Sequence, residues 1–150
     1  MKICIACSPG GHLTEAFQLI PSISKHNLII FTIDAGYVKR YLSKHKTYLV
    51  ENPGRNLLKF IEVIFQSLKT LIKERPKVII SFGAGVTLPL CLFGKLFFNS
   101  KLIYIECSAQ VHKPSITGRI VYYFADLFFV QWQYLLEKYG RRAVYGGLLI

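Results

Sequence analysis

Two side chains in this 150-residue sequence are suited to moving a proton beside an anionic group, His12 and Glu106. His12 closes the stretch Ser8-Pro9-Gly10-Gly11-His12, which follows the apolar run MKICIAC and precedes Leu13, Ala16, Phe17 and Ile20 at helical spacing. A strand-to-helix turn with adjacent glycines lets backbone N–H groups, backed by the helix dipole, face an anion with no Cβ in the way. The same turn also serves as a tight connection in any α/β protein, and it matches neither G-x-G-x-x-G nor a Walker loop. A histidine at such a helix start can bind a phosphate or transfer a proton. Glu106 ends the apolar run LIYIE, where a carboxylate acts as a general base, holds a hydroxyl, or is a solvated loop residue. His26 and His45 sit in lysine-bearing surface segments, so His12 and Glu106 are the proton-transfer pair. His112 follows in the loop after Glu106 and either joins the site or decorates it. Gly83-Ala84-Gly85 is a second backbone cradle for sugar or phosphate, or a close strand–helix contact. Arg55, in a glycine-proline loop, and Lys113 and Arg119 are phosphate contacts or solvated cations. No paired His or carboxylate spacing suggests a metal, and no cofactor is expected.

These residues need elements to hold them. Short strands are predicted at Met1–Cys7, Leu28–Ile33, Thr47–Val50, Val78–Ser81, Leu102–Ile105, Leu127–Val130 and from Ala143. Helices are predicted over Leu13–Ile20, stopped by Pro21, over Leu57–Arg75 and from Gly85 through Phe98. Further helices are predicted over Ser115–Ala125 and Trp132–Tyr139. Asp34 caps a short helix through Tyr37, Val38 and Tyr41. Strands apolar throughout and alternating with helices imply an α/β fold, a parallel sheet covered on both faces. Ligands of such sheets bind beyond the carboxyl ends of the strands. Ser8–His12, Phe82–Val86 and Glu106–Pro114 leave those ends, so they share one rim. Residues 1–150 read as one domain without repeats or linkers.

Composition narrows the partners. The chain is 52% apolar and 18% charged, which excludes disorder, and its net charge of +11 favours an anionic partner. In the segment NLLKFIEVIFQSLKTLIKER, apolar residues including Phe60 and Phe65 cover more than a core-facing stripe, while Lys59, Lys69 and Lys73 add positive charge. An interfacial helix on anionic lipid fits that pattern, and Phe97 and Phe98 beside Lys95 form a second membrane-facing edge. Core filling is the competing account. Nucleic acid is disfavoured, because the aromatics sit in aliphatic helical runs and no recognition signature appears. Met1–Cys7 is too short for a signal peptide, which predicts a cytosolic chain with Cys4, Cys7, Cys91 and Cys107 reduced and buried.

The segments SPGGHLTEAFQL, FGAGVTLPL and YIECSAQVHKPSITGRIVYYFADLFFVQW, with a closing YGG, together resemble polysaccharide-biosynthesis subunits that form half of a split glycosyltransferase. The resemblance includes the membrane-anchoring subunit of the dolichol-pathway UDP-GlcNAc transferase and bacterial exopolysaccharide and capsule counterparts. It implies a Rossmann-like sheet equivalent to the N-terminal, acceptor-side domain of a GT-B glycosyltransferase. A separate small catalytic subunit would hold the UDP-sugar, and this chain would supply the lipid-linked sugar acceptor site at the cytoplasmic face of the membrane. Gly10, Gly11 and His12 then match the turn near the acceptor diphosphate, Gly83 and Gly85 the second glycine loop, and Glu106 the acidic residue after the fifth strand. Pro9 removes one backbone donor from that turn. The amino-terminal anchor of eukaryotic members has no counterpart ahead of Met1, so attachment would come from surfaces such as the Asn56–Arg75 helix. The alternative is a scaffold that only recruits a catalytic partner to the membrane.

Overall fold

A computed structural model describes residues 1–36, 38 and 44–149. Among these, seven strands form one sheet: β1 Lys2–Ala6, β2 Asn27–Ile33, β3 Lys46–Val50, β4 Val78–Ser81, β5 Lys101–Ile105, β6 Leu127–Val130 and β7 Ala143–Tyr145. Every pairing is parallel, and the spatial order is β3-β2-β1-β4-β5-β6-β7. The order reverses direction between β1 and β4, the switch point of a doubly wound sheet. The helices are α1 Gly11–Ile23, α2 Leu57–Glu74, α3 Leu88–Phe97, α4 Ile116–Val121 and α5 Tyr134–Tyr139, with a 3₁₀ turn at Gly85–Thr87.

Period-two alternation sorts the strand side chains onto two faces. Cys4, Ala6, Phe31, Ile79, Leu102, Tyr104, Phe128 and Val130 meet Val63 and Leu71 of α2, Leu90 and Cys91 of α3, Val121 of α4 and Leu135 of α5. Ile3, Ile5, Cys7, Leu28, Ile30, Ile80, Phe82 and Ile105 meet Leu13 and Ala16 of α1, with Val38 beside them. Among the described residues, α2, α3, α4 and α5 lie on one face, and α1 and the helical residue Val38 lie on the other. All four cysteines are free and buried; burial pushes the Cys7 thiol up to about 12 and those of Cys91 and Cys107 up to about 11.

Two expected boundaries move. Pro21 lies inside α1 instead of ending it. A proline in the last turn forfeits only one helical hydrogen bond, and its own carbonyl still accepts from Ser24 N and Oγ. The helix expected over Ser115–Ala125 is α for six residues only, with Ser115 as its N-cap, its Oγ accepting from Gly118 N at 2.8 Å. The short helix expected through Tyr37, Val38 and Tyr41 lies outside the described residues except for Val38, which is helical and buried.

Candidate functional site

The strand order makes β1, β4 and β5 neighbours, so the three loops that leave their carboxyl ends stand side by side. The first loop turns at Gly10, whose φ of +85° is the left-handed region that a side chain resists. No side chain caps α1, and nothing lies within 4 Å of where a Cβ would sit on Gly10 or Gly11. The first N–H groups of α1 therefore open onto the rim. His12, half-buried in the first turn, shares a hydrogen bond of 2.8 Å between Nδ1 and Ser8 Oγ. Its Nε2 points across to β4.

The second loop makes room for that ring. Gly83 is buried with φ of +96°, and a Cβ there would meet Tyr104 Oη at 3.0 Å and His12 Nε2 at 3.6 Å. The loop is pinned from below: Thr87 Oγ1 donates to Gly83 O and Ala84 O, and Gly83 N donates to Ser81 Oγ. Ala84 adopts φ of +69° with ψ of +139°, a sparsely populated conformation that costs about 1–3 kcal/mol. Gly85 is exposed. It lines a separate cavity of about 240 Å³ with Ile33, Pro53, Gly54 and Phe60.

The third loop begins at Glu106, 1% exposed at the end of β5. Donors surround its carboxylate: Oε2 accepts from Ser115 N at 3.2 Å, Ser115 Oγ at 3.1 Å and Tyr139 Oη, and Oε1 from Cys107 N at 3.3 Å. Tyr104 Oη stands 3.5 Å from Oε1 and 3.2 Å from Ser115 Oγ. Burial raises the pKa of both phenols, and the adjacent Glu106 adds to the rise, so both keep the proton they donate. Gly118 is obligatory beside them, because a methyl group there would overlap Tyr139 Oη and Glu106 Oε2.

A second buried carboxylate, Glu15, lies one turn after His12 on α1 and is 3% exposed. Its Oε1 accepts from Ser108 N at 2.9 Å, Ser108 Oγ at 2.6 Å and Cys107 Sγ at 3.4 Å, and its Oε2 from Gln131 Nε2 at 3.0 Å. Burial lowers the His12 pKa below 6.5; Glu15 and Glu106 act in the opposite direction without overturning it. At neutral pH the ring is uncharged, the form that accepts a proton.

His12, Gly83 and Glu106, expected at one site from sequence, thus stand together through Tyr104. Three others stand apart. Arg55 is exposed in the loop before α2, and His112 is exposed with its ring edge-on to Tyr134, 5.7 Å between centroids. Gly85 faces the neighbouring cavity. Of the residues expected at a membrane, Phe65 and Phe97 are 66% and 70% exposed, and Lys69 is exposed. Phe60 and Phe98 are half-buried, Phe60 in the cavity beside Gly85 and Phe98 against the core. Leu57, Leu58, Ile61 and Ile72 extend an exposed apolar stripe along α2, which packs beside α3. Sequence reasoning missed Glu15, Tyr104, Ser115, Gln131 and Tyr139. No sequence signal marked Glu15: at helical spacing it falls away from the face of Leu13, Ala16, Phe17 and Ile20, where a charge reads as solvated. Among the described residues no cluster of three or more His, Cys, Asp or Glu is placed to hold a metal. Nor is any described helix long and apolar enough to cross a membrane.

A doubly wound parallel sheet with its glycine turns and a buried acid gathered on one rim defines the class: a Rossmann-like half of the GT-B fold. Over 98% of its length it superposes on Acinetobacter baumannii MurG with a TM-score of 0.77 at 14% identity. Over 99% it superposes on Neisseria meningitidis UDP-GlcNAc 2-epimerase with a TM-score of 0.74 at 13% identity. It spans 45% and 47% of those chains. Residues 43–149 match the family described as oligosaccharide biosynthesis protein Alg14 like, and the chain belongs to that family. The UDP-N-acetylglucosamine transferase subunits ALG14 of Saccharomyces cerevisiae and Homo sapiens are each 24% identical to it over its whole length, which covers 77% and 83% of theirs. The Schizosaccharomyces pombe subunit is 41% identical over 78 residues, 49% of this chain and 37% of that protein.

Proposed function

We propose that this chain is the acceptor-binding subunit of a two-subunit inverting glycosyltransferase. In this reading a single domain at the cytoplasmic face of the membrane receives a polyprenyl-diphosphate-linked sugar, and a partner subunit holds the UDP-sugar. The observation that supports it is the placement of uncharged His12 Nε2 against Gly83, at the meeting of the β1, β4 and β5 loops. A further fact points the same way: relatives named as transferase subunits match the whole chain.

The chemistry assigns each group one task. The base requires the tautomer in which His12 Nδ1–H donates to Ser8 Oγ, 2.8 Å away, so that the Nε2 lone pair takes the acceptor hydroxyl proton. The acceptor oxygen bonds to the anomeric carbon of the donor sugar from the face opposite UDP, which departs with the bonding electrons. The open N–H groups of α1 and the surplus of lysine and arginine favour the acceptor diphosphate. Glu106, enclosed by donors, holds Ser115, Tyr139 and the start of its loop in place and keeps a negative charge behind the ring that becomes protonated.

Reconstitution tests this reading. Chain and partner together should transfer sugar to a short-chain polyprenyl-diphosphate GlcNAc acceptor, the chain alone should not, and calorimetry should find no UDP-sugar affinity in the isolated chain. Robust transfer by the chain alone would refute the divided arrangement. Full turnover by a complex carrying His12→Ala would favour a purely recruiting scaffold.

A further inference from the structure

Glu15 has no part in the proton transfer described above, yet it is one of the most buried charged groups of the molecule. Its surroundings are one-sided. Four donors reach it, from Ser108 N, Ser108 Oγ, Cys107 Sγ and Gln131 Nε2, and it enters no ion pair among the described residues. The polarity of this network is fixed from its far end. Leu149 N donates to Gln131 Oε1 at 2.7 Å, which leaves Gln131 Nε2 to donate both to Glu15 and to the Glu106 carbonyl at 3.0 Å. Trp132 Nε1 donates to Ser108 O at 2.7 Å and holds the loop from its other side. An amide at position 15 would turn its NH₂ group toward donors in either orientation, so only an acceptor on both arms satisfies the site.

The turn carrying His12 is held by local bonds, between His12 and Ser8 and from Thr14 to Gly10 O, and an added Cβ on Gly10 or Gly11 would meet nothing within 4 Å. Among the described residues, the side-chain hydrogen bonds that tie α1 to the loops after β5 and β6 are those of Glu15. We propose that Glu15 is the positioning residue of this site: its carboxylate clamps α1 to the loop after β5 and so fixes where His12 stands relative to Glu106. This rests on the reading of His12 as the base. Three titratable groups face the imidazole, Glu15 from its own helix, Tyr104 from β5 and Glu106 from the loop that follows β5. Removing the charge of Glu15 therefore leaves Glu106 as the remaining anion favouring imidazolium.

The test uses the full chain with its partner and three variants: Glu15→Gln, Glu15→Asp and Ser108→Ala. Glu15→Gln should lower kcat on the order of 10- to 100-fold, the scale of a misplaced catalytic group. It should also move the acid limb of the pH–rate profile to lower pH. Glu15→Asp should restore the acid limb and recover part of kcat. Ser108→Ala, which keeps the charge and removes one clamp bond, should lower kcat and leave the acid limb in place. NMR titration of the His12 ring in the chain alone should show a lower pKa in Glu15→Gln and an unchanged one in Ser108→Ala. Wild-type kcat and acid limb in folded Glu15→Gln would overturn the proposal; if that variant does not fold, wild-type kcat in both other variants would do so. Full turnover in His12→Ala would instead remove the base, while the NMR titration still tests the coupling of Glu15 to His12.

Discussion

At the scale of single residues, the site works by contrast between two kinds of burial. Glu106 and Glu15 are enclosed by donors, whereas His12 keeps one nitrogen bonded and one directed at Gly83. Burial lowers the His12 pKa, so its neutral form persists to more acidic pH than that of a free imidazole. Transfer should accordingly hold steady around neutrality and fall only as pH drops below 6.5 and through the lowered value. His12→Ala should remove that acid limb and cost about 10²- to 10⁴-fold in kcat with unchanged thermal stability. Steady-state rates across pH 5–8 check both, and an acid limb that persists in the variant would assign it to another group. His12 and Glu106 were legible in the sequence because each sits where a strand pattern stops. Tyr104, Ser115 and Tyr139 were not, because their side chains converge only after β5, α4 and α5 pack together. Arg55 and His112 lie on exposed loops, and their residue types and loop positions did not tell in advance how far from His12 and Glu106 they stand.

At the scale of elements, the amino end of the sheet is held by a different acid. Glu74, in the last turn of α2, receives hydrogen bonds from Lys2 at the start of β1 and from Tyr48 on β3, and it pairs with Lys46. Burial opposes its charge, but Lys46, Tyr48 and Lys2 prevail and hold its pKa at about 2. A carboxylate depressed in the folded state stabilises above its unfolded pKa of about 4.3 and loses that contribution as pH falls toward 2. Glu74→Gln should therefore unfold at lower urea than wild type at pH 7, with the gap closing between about pH 4.3 and 2. A gap that stays constant through that window would show that the amide loses packing rather than charge. Strand positions were readable from unbroken apolar runs, since a parallel sheet buries both faces. Helix ends were less so: Pro21 lies within α1 because its missing donor is affordable in a last turn.

At the scale of the whole molecule, α2 presents the outer layer of its face to the surroundings. The exposed stripe Leu57, Leu58, Ile61, Phe65 and Ile72 begins at the rim, where α2 starts, and runs its length beside Lys69 and Lys73. Apolar surface of this kind flanked by lysine adheres to anionic bilayers. Phe65→Glu combined with Phe97→Glu should reduce sedimentation with phosphatidylglycerol vesicles at least 10-fold, leaving the circular dichroism spectrum unchanged. Equal sedimentation of variant and wild type would transfer the contact to another face. The doubly wound architecture followed from the alternation of strands and helices, and the sharing of one rim by three loops followed from the architecture. What the alternation did not foretell is which layer each helix joins, because hydrophobic period does not say to which side a crossover turns.

The central place of β1 carries a consequence for how the chain is made. Its partner β2 follows at Asn27, but its other neighbour β4 begins only at Val78, so β1 waits through β2, β3 and α2 before its second edge is closed. During that interval a nascent chain exposes an unpaired edge that is apolar from Ile3 to Ala6. Sequence-distant pairing of this type is slow and prone to self-association, so refolding from denaturant should lag co-translational folding and improve on dilution.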